Sequence, residues 1–278
     1  MVRRRCAGAL ALVLALSLLA ASNALAAGFP VTIATATGKV TIAKKPIRIV
    51  SLSPTATEDL FAIGAGPQVI AVDDQSSYPA AAPRTKLSGF TPNVEAIAAY
   101  RPDLVVGEAG LGKIVAALGK LNIPVLVQPT ATRLTDAYAQ LRQLGKATGH
   151  EGSAAALVAR MKKQIAAAVA SVPKASTALA VYHELDPTYY SATSKTFIGR
   201  VYSLLGLRNV ADAADKTGSG YPQLSAEYIV AASPGLIVLA DTKCCGQTAA
   251  KVAKRAGWGT IAAVEDGAVV EVSDDLAS

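Results

Sequence analysis

The sequence predicts an α/β protein of two similar lobes, each built on a mostly parallel sheet, joined by a single long α-helix. Three observations predict it. Short β-branched runs alternate with Ala- and Leu-rich stretches of helical length from about residue 46 onward. One segment is written twice: residues 95–106 (EAIAAYRPDLVV) and residues 227–238 (EYIVAASPGLIV) both fit E-x-I-x-A-x-x-P-x-L-x-V. In each copy a helix carrying an exposed Glu runs through a Pro stop into an apolar strand. Between the copies lies residues 151–172, an unbroken Ala-rich stretch with Leu157, Met161, Ile165 and Val169 at four-residue steps, closed by Pro173. One helix of about 20 residues is about 30 Å long.

Taken in order, the first 26 residues stand apart from the fold. Arg3, Arg4 and Arg5 precede an apolar run at 7–21 that is too short to span a bilayer, and Ala24-Leu25-Ala26 has small-x-small spacing. These are the features of a secretory signal peptide cleaved near Ala26. No Cys stands at that site, so a lipid anchor is not expected, and the mature chain should be exported. The net charge of +7 includes the three signal arginines, and the remaining basic residues are scattered without interleaved aromatics. Nucleic-acid binding is therefore not expected.

The first lobe is expected at 46–148, the bridging helix at 149–172 and the second lobe at 173–278. Strands are expected at 47–52, 69–72, 104–106, 125–127, 179–182, 236–239 and 269–272, with helices at 57–63, 111–121 and 197–205. Thr55 and Glu58 have capping-box spacing at the start of the first helix, and Gly64 stands where it should stop.

Catalytic signatures are missing. There is no G-x-S-x-G, H-E-x-x-H or C-x-x-C, and only two histidines occur. No nucleophile–base pair can be read, so the chain is not expected to be an enzyme, and no metal site is expected. His150 falls at the start of the long helix, where a solvated or capping role is expected. His183 follows a strand and either faces a cleft or sits buried and hydrogen-bonded. Gly107 to Lys113 reads G-x4-G-K, but Ile114 follows in place of the Ser or Thr that would hold Mg²⁺. It reads better as a glycine-rich turn at the C-terminal end of a strand, the edge that faces the ligand crevice in open α/β sheets. Cys6 is lost with the signal, leaving the neighbours Cys244 and Cys245 as a vicinal disulfide or as two thiols.

The aromatics are unevenly placed. Tyr78, Phe90, the pair Tyr189-Tyr190 and Tyr221 lie in loops among Gly, Ser and Pro, two sites in each half. Aromatics offered from two facing lobes suit a flat or greasy ligand with a few polar handles.

Residues 48–64 (RIVSLSPTATEDLFAIG), residues 66–79, both repeated blocks and the long central helix together resemble the substrate-binding proteins of iron–siderophore, haem and vitamin B12 ABC importers, most closely the cobalamin-binding members. The resemblance covers about residues 46–278. It implies two Rossmann-like lobes bridged by one rigid helix, with the ligand in the cleft between them. It implies a monomer with no cofactor beyond its bound corrinoid, ferric siderophore or haem. It implies a permease dimer with its ATPase as partner, docked through Glu95 on one lobe and Glu227 on the other. Tyr78, Phe90, Tyr190 and Tyr221 would be the cleft aromatics, with Tyr189 beside them. Three departures stand out. Family members continue beyond Asp274–Ser278 into a final helix, so the chain is expected either to be a fragment or to lack a packing element of the second lobe; Phe90 and Tyr221 stand where cobalamin binders carry Trp; and the Cys244-Cys245 pair is not a general family feature.

Overall fold

The computed structural model describes residues 28–173 and 178–273. The signal-peptide reading and the chain end at 274–278 lie outside the described residues. The chain opens with a hairpin, β1 (Val31–Thr35) and β2 (Gly38–Ile42), paired antiparallel. It was absent from the sequence expectations. Only one face is buried, through Val31, Ile33 and Ile42, so its apolar signal is sparse.

The first lobe then runs β3 (Ile49–Leu52), α1 (Pro54–Ala62), β4 (Val69–Val72), α2 (Val94–Ala99), β5 (Leu104–Glu108), α3 (Gly112–Lys120), β6 (Val125–Gln128) and α4 (Leu134–Thr148). Its four strands are all parallel, in the order β4-β3-β5-β6. Every residue of β3 and β6 is buried, as expected of strands covered on both faces. One apolar cluster packs α1, α4 and the hairpin on one side of this sheet, and a second packs α2 and α3 on the other.

After α5 (Glu151–Ser171) the second lobe runs β7 (Ala180–Glu184), α6 (Phe197–Leu204), β8 (Arg208–Asn209), α7 (Ala226–Ala232), β9 (Leu236–Leu239), α8 (Thr242–Cys245), α9 (Ala249–Ala253), α10 (Ala262–Glu265) and β10 (Val269–Glu271). The order is β10-β9-β7-β8, again all parallel. Both sheets thus place their strands 2-1-3-4 by order of occurrence. The duplicated sequence blocks are α2–β5 and α7–β9, which supply the third strand of each lobe. In both lobes that strand lies beside the first, so the strand order reverses between them and a crevice opens at their C-terminal ends.

Local chemistry accounts for the helix ends. The cap of α1 is Ser53, whose Oγ accepts from the Ala56 N–H, with Pro54 at the first helical position where its missing N–H costs nothing. This corrects the Thr55–Glu58 capping-box expectation: the helix begins a turn earlier than 57. Gly64 does end it, at φ +88°. His150 occupies the N-cap position of α5 without a side-chain capping bond. α5 is 21 residues long, and Leu157, Met161 and Ile165 pack against the first lobe's core.

Gly199 in α6 is held to glycine by a close backbone approach. A Cβ there would lie 2.0 Å from the Thr193 carbonyl oxygen. Gly199→Ala is expected to destabilise by about 1–3 kcal/mol through forced displacement of that loop. Urea denaturation checks this, and an unchanged midpoint would show that the loop yields freely.

Candidate functional site

The C-terminal ends of the two sheets face a shared cleft of about 520 Å³. The first lobe contributes Ser53, Thr55 and Asp59 from the cap and first turns of α1, Glu108 from the end of β5, Gln128 at the end of β6 with Pro129 to Ala131 beyond it, and Gln140 on α4. Met161 of α5 reaches the cleft, so the long helix forms part of its wall as well as connecting the lobes. The second lobe contributes His183 of β7, Phe197, Ile198, Val201 and Tyr202 of α6, and Tyr221 from the loop before α7. The volume falls within the range of ligand sites.

The polar groups are held in place by the fold. Ser53 Oγ, besides capping α1, donates to Glu108 Oε1 at 2.7 Å, which ties the first strand's edge to the third's. Gln140 donates to the Pro129 carbonyl, and Gln128 donates to the Gln140 carbonyl. His183 is 2% exposed, with Nδ1 2.6 Å from Tyr202 Oη, and its Nε2 has no partner. It is therefore both buried and part of the cleft wall. Burial pushes its pKa down to about 4, so the imidazole is neutral at physiological pH, and burial raises the Tyr202 phenol to about 12. Asp59 is pushed up to about 7, by burial first and by neighbouring Glu58 second. No Lys or Arg is among the lining residues.

Of the aromatics expected from sequence, Tyr221 lines the cleft. Tyr78, Phe90 and Tyr190 are exposed in the loops that follow β4 and β7, at 64%, 86% and 41%. With Tyr221 they make up the exposed aromatic side chains among the described residues. Tyr189 is seated differently, against Trp258 (ring centroids 5.7 Å apart) and 5.4 Å from the Arg255 guanidinium, inside the second lobe.

Glu95 and Glu227 occupy identical positions. Each is the second residue of its helix, exposed, two places after a capping side chain: Asn93 accepting from Ala96 N–H, and Ser225 accepting from Tyr228 N–H. Backbone and Ser225 hydrogen bonds hold the Glu227 carboxyl below its usual range.

The second lobe's own crevice is closed by a buried ionic cluster that the sequence reading missed. Arg255 donates from both terminal nitrogens to Glu184, at 2.6 Å each, and also to Gln247. Tyr182 donates to the same carboxylate, and Trp258 lies 4.5 Å beneath the guanidinium. Asp241 is fully buried beside Glu184, and neither of its oxygens has a donor among the described residues. Burial, then Glu184, pushes it up to about 7. Just beyond it, in α8, Cys244 and Cys245 are placed as a vicinal disulfide, the first of the two readings their adjacency left open.

Asp241 gives a pH test with a definite sign. An unfolded Asp titrates near 3.8. Between about 4 and about 7 the folded protein keeps a proton that the unfolded chain has released, so Asp241 contributes stability that is lost as pH rises through about 7. His183, whose pKa is depressed, acts in the opposite sense below about 6.5. The difference between variant and wild type isolates Asp241. Asp241→Asn is expected to gain on the wild type in urea midpoint as pH is raised from about 5 to about 8; a pH-independent gap would remove the raised titration.

Sequence reasoning did not find Asp59, Glu108, Gln140 or Tyr202. Glu108 was in view only as part of the G-x4-G-K turn, and Met161 only as a core position. Nothing local marks them, because the cleft is assembled from segments far apart in the chain.

Comparison with known proteins agrees with this architecture. The family model described as "Periplasmic binding protein" matches residues 49–276. An uncharacterized ABC transporter substrate-binding lipoprotein of Bacillus subtilis is 34% identical over 259 residues, covering 89% of this chain and 80% of that protein. A cobalamin-binding protein of Halobacterium salinarum is 34% identical over 220 residues, covering 77% of this chain and 59% of that protein's length. The periplasmic vitamin B12 binding protein of Vibrio cholerae superposes with a TM-score of 0.66 at 23% identity, covering 83% of this chain and 89% of that one, a likeness of fold. Two parallel sheets of identical strand order, a long connecting helix, a cleft at the strand ends and a family match across both lobes lead to one conclusion: the chain belongs to the periplasmic binding protein family.

Proposed function

We propose that this protein is an exported substrate-binding protein that captures a cobalamin-like corrinoid or a ferric siderophore and delivers it to the permease of an ABC importer. The observation that carries the reading is the cleft between the lobes, with Tyr221 in its wall and Tyr78, Phe90 and Tyr190 exposed on loops at the same strand ends. Exposed aromatics have no folding reason to be there, and they suit stacking on a large flat or greasy ligand. The ABC transporter lipoprotein and cobalamin-binding relatives support the transport role. Glu95 and Glu227 would meet the two permease subunits, one from each lobe.

The test is a visible absorption spectrum of the protein purified from its own source, followed by calorimetry. Corrinoids, ferric siderophores and haem absorb differently. The expected result is one saturable site for a corrinoid or a ferric siderophore; no heat with either class would remove the reading, and a haem spectrum would replace it.

A further inference from the structure

The lining of the cleft is unlike the rest of the molecule. The chain carries a net positive charge, yet among the described residues the cleft wall holds two acids, Asp59 and Glu108, and no Lys or Arg. Glu108 is oriented as well as present. Ser53 Oγ donates to its Oε1, which leaves Oε2 without a protein partner among the described residues. The opposite wall adds a second, independent feature: the buried His183 ring, fixed by Tyr202 at Nδ1 and unsatisfied at Nε2. That nitrogen is itself buried, so the His183 ring marks this wall as polar and neutral without adding a charge to it.

We infer that the cleft selects its cargo by charge, with Glu108 accepting hydrogen bonds from a neutral or cationic cargo rich in N–H donors and repelling anionic chelates, and Asp59 adding to that field when it is ionised. This rests on the transport reading above and goes beyond it by naming Glu108 and Asp59 as specificity-determining residues. The physical argument is asymmetric. A carboxylate held at the cleft wall by Ser53 gains from a carboxamide or ammonium donor. Against a cargo carboxylate or catecholate it leaves two like charges with no counter-ion in the wall, and a juxtaposition of that kind excludes a ligand more strongly than a good contact attracts one.

The experiment uses two pairs of probes that differ in charge within one chemical class. The first pair is amidated cyanocobinamide and cobyrinic acid, the corresponding corrin with free carboxylates. The second is ferrioxamine B, a cationic ferric hydroxamate, and its N-succinyl derivative, the same hydroxamate chelate with the ammonium replaced by a carboxylate. Binding is measured by calorimetry for the wild type, Glu108→Gln and Asp59→Asn, with a thermal melt confirming that each variant is folded. In whichever pair binds, the amidated or cationic member is expected to bind at least about tenfold more tightly. Glu108→Gln, which keeps an acceptor for Ser53, is expected to shrink that ratio, and Asp59→Asn to shrink it further in combination. Equal affinity within the bound pair, or a ratio unchanged in both variants, overturns charge selection and leaves the transport reading standing. If none of the four probes binds, the transport reading falls and charge selection falls with it.

Discussion

Arg255→Ala is expected to cost about 3–5 kcal/mol of folding stability, the largest loss from any single substitution considered for this protein. The reason is what it leaves behind. Glu184 is fully buried, and the Arg255 guanidinium supplies both of its strongest hydrogen bonds. Without Arg255, Glu184 retains only the Tyr182 hydroxyl and faces the equally buried Asp241. Two carboxyls would then share a buried crevice without the guanidinium that compensates them. The guanidinium also lies over Trp258 and Tyr189, so its removal opens the side of the second lobe's core. Urea denaturation measures the loss. The combined change Glu184→Gln with Arg255→Met should recover much of it, because removing both charges leaves no orphan. A single Arg255→Ala variant within about 1 kcal/mol of the wild type would mean that solvent reaches Glu184 and that the cluster is not a dry ion pair.

The double substitution Glu95→Ala with Glu227→Ala is expected to abolish delivery of cargo to the permease while leaving cargo affinity unchanged. Both side chains are exposed, lie on the first turn of a helix and are absent from the cleft wall. Removing them should therefore touch neither the fold nor the site. If each carboxylate is received by an arginine pocket on one permease subunit, as the family resemblance implies, losing both removes the charge-assisted bidentate contacts from the two halves of the interface at once. Each single variant should weaken delivery by about tenfold or more, and the pair by far more than either. The readout is uptake in membranes carrying the importer, alongside calorimetry on the free protein. Normal uptake by the double variant would remove the docking role, and a fall in cargo affinity would move the glutamates into the binding site.

The two lobes were legible because the signal for each is local. The runs at β5 and β9 are apolar across consecutive residues, as strands covered on both faces must be, and each follows a short helix and a Pro. The duplicated block went further than its bare similarity suggested, for the structure puts both copies at the third strand of sheets with the same order. Boundaries slipped where tertiary contacts set them. β7 runs to Glu184, two residues beyond the expected strand, because a charged residue became strand interior once Arg255 met it. The start of α1 moved to Pro54 because Ser53 caps it.

The cleft was less legible. Tyr221 was found by its loop setting, yet Tyr189, its counterpart in the same reading, packs into the lobe against Trp258. Two adjacent tyrosines in one loop must point in different directions, and only packing decides which is buried. Glu108 looked like part of a glycine-rich turn until Ser53, fifty-five residues earlier, was seen to hold it.

From the sequence alone came the class of fold, the duplication, the long helix and the matched pair of exposed glutamates, all encoded in periodicity and in residues that end helices within a few positions. Only the tertiary structure decided the chemistry of the cleft: a wall that is acidic and without Lys or Arg among the described residues, a neutral His183 with one buried ring nitrogen unpaired, and a buried Arg255–Glu184 pair in the second lobe. Burial and pairing of polar groups depend on partners brought together from distant segments, and a charge on a linear chain carries no mark of whether it will meet water, a counter-ion or another acid.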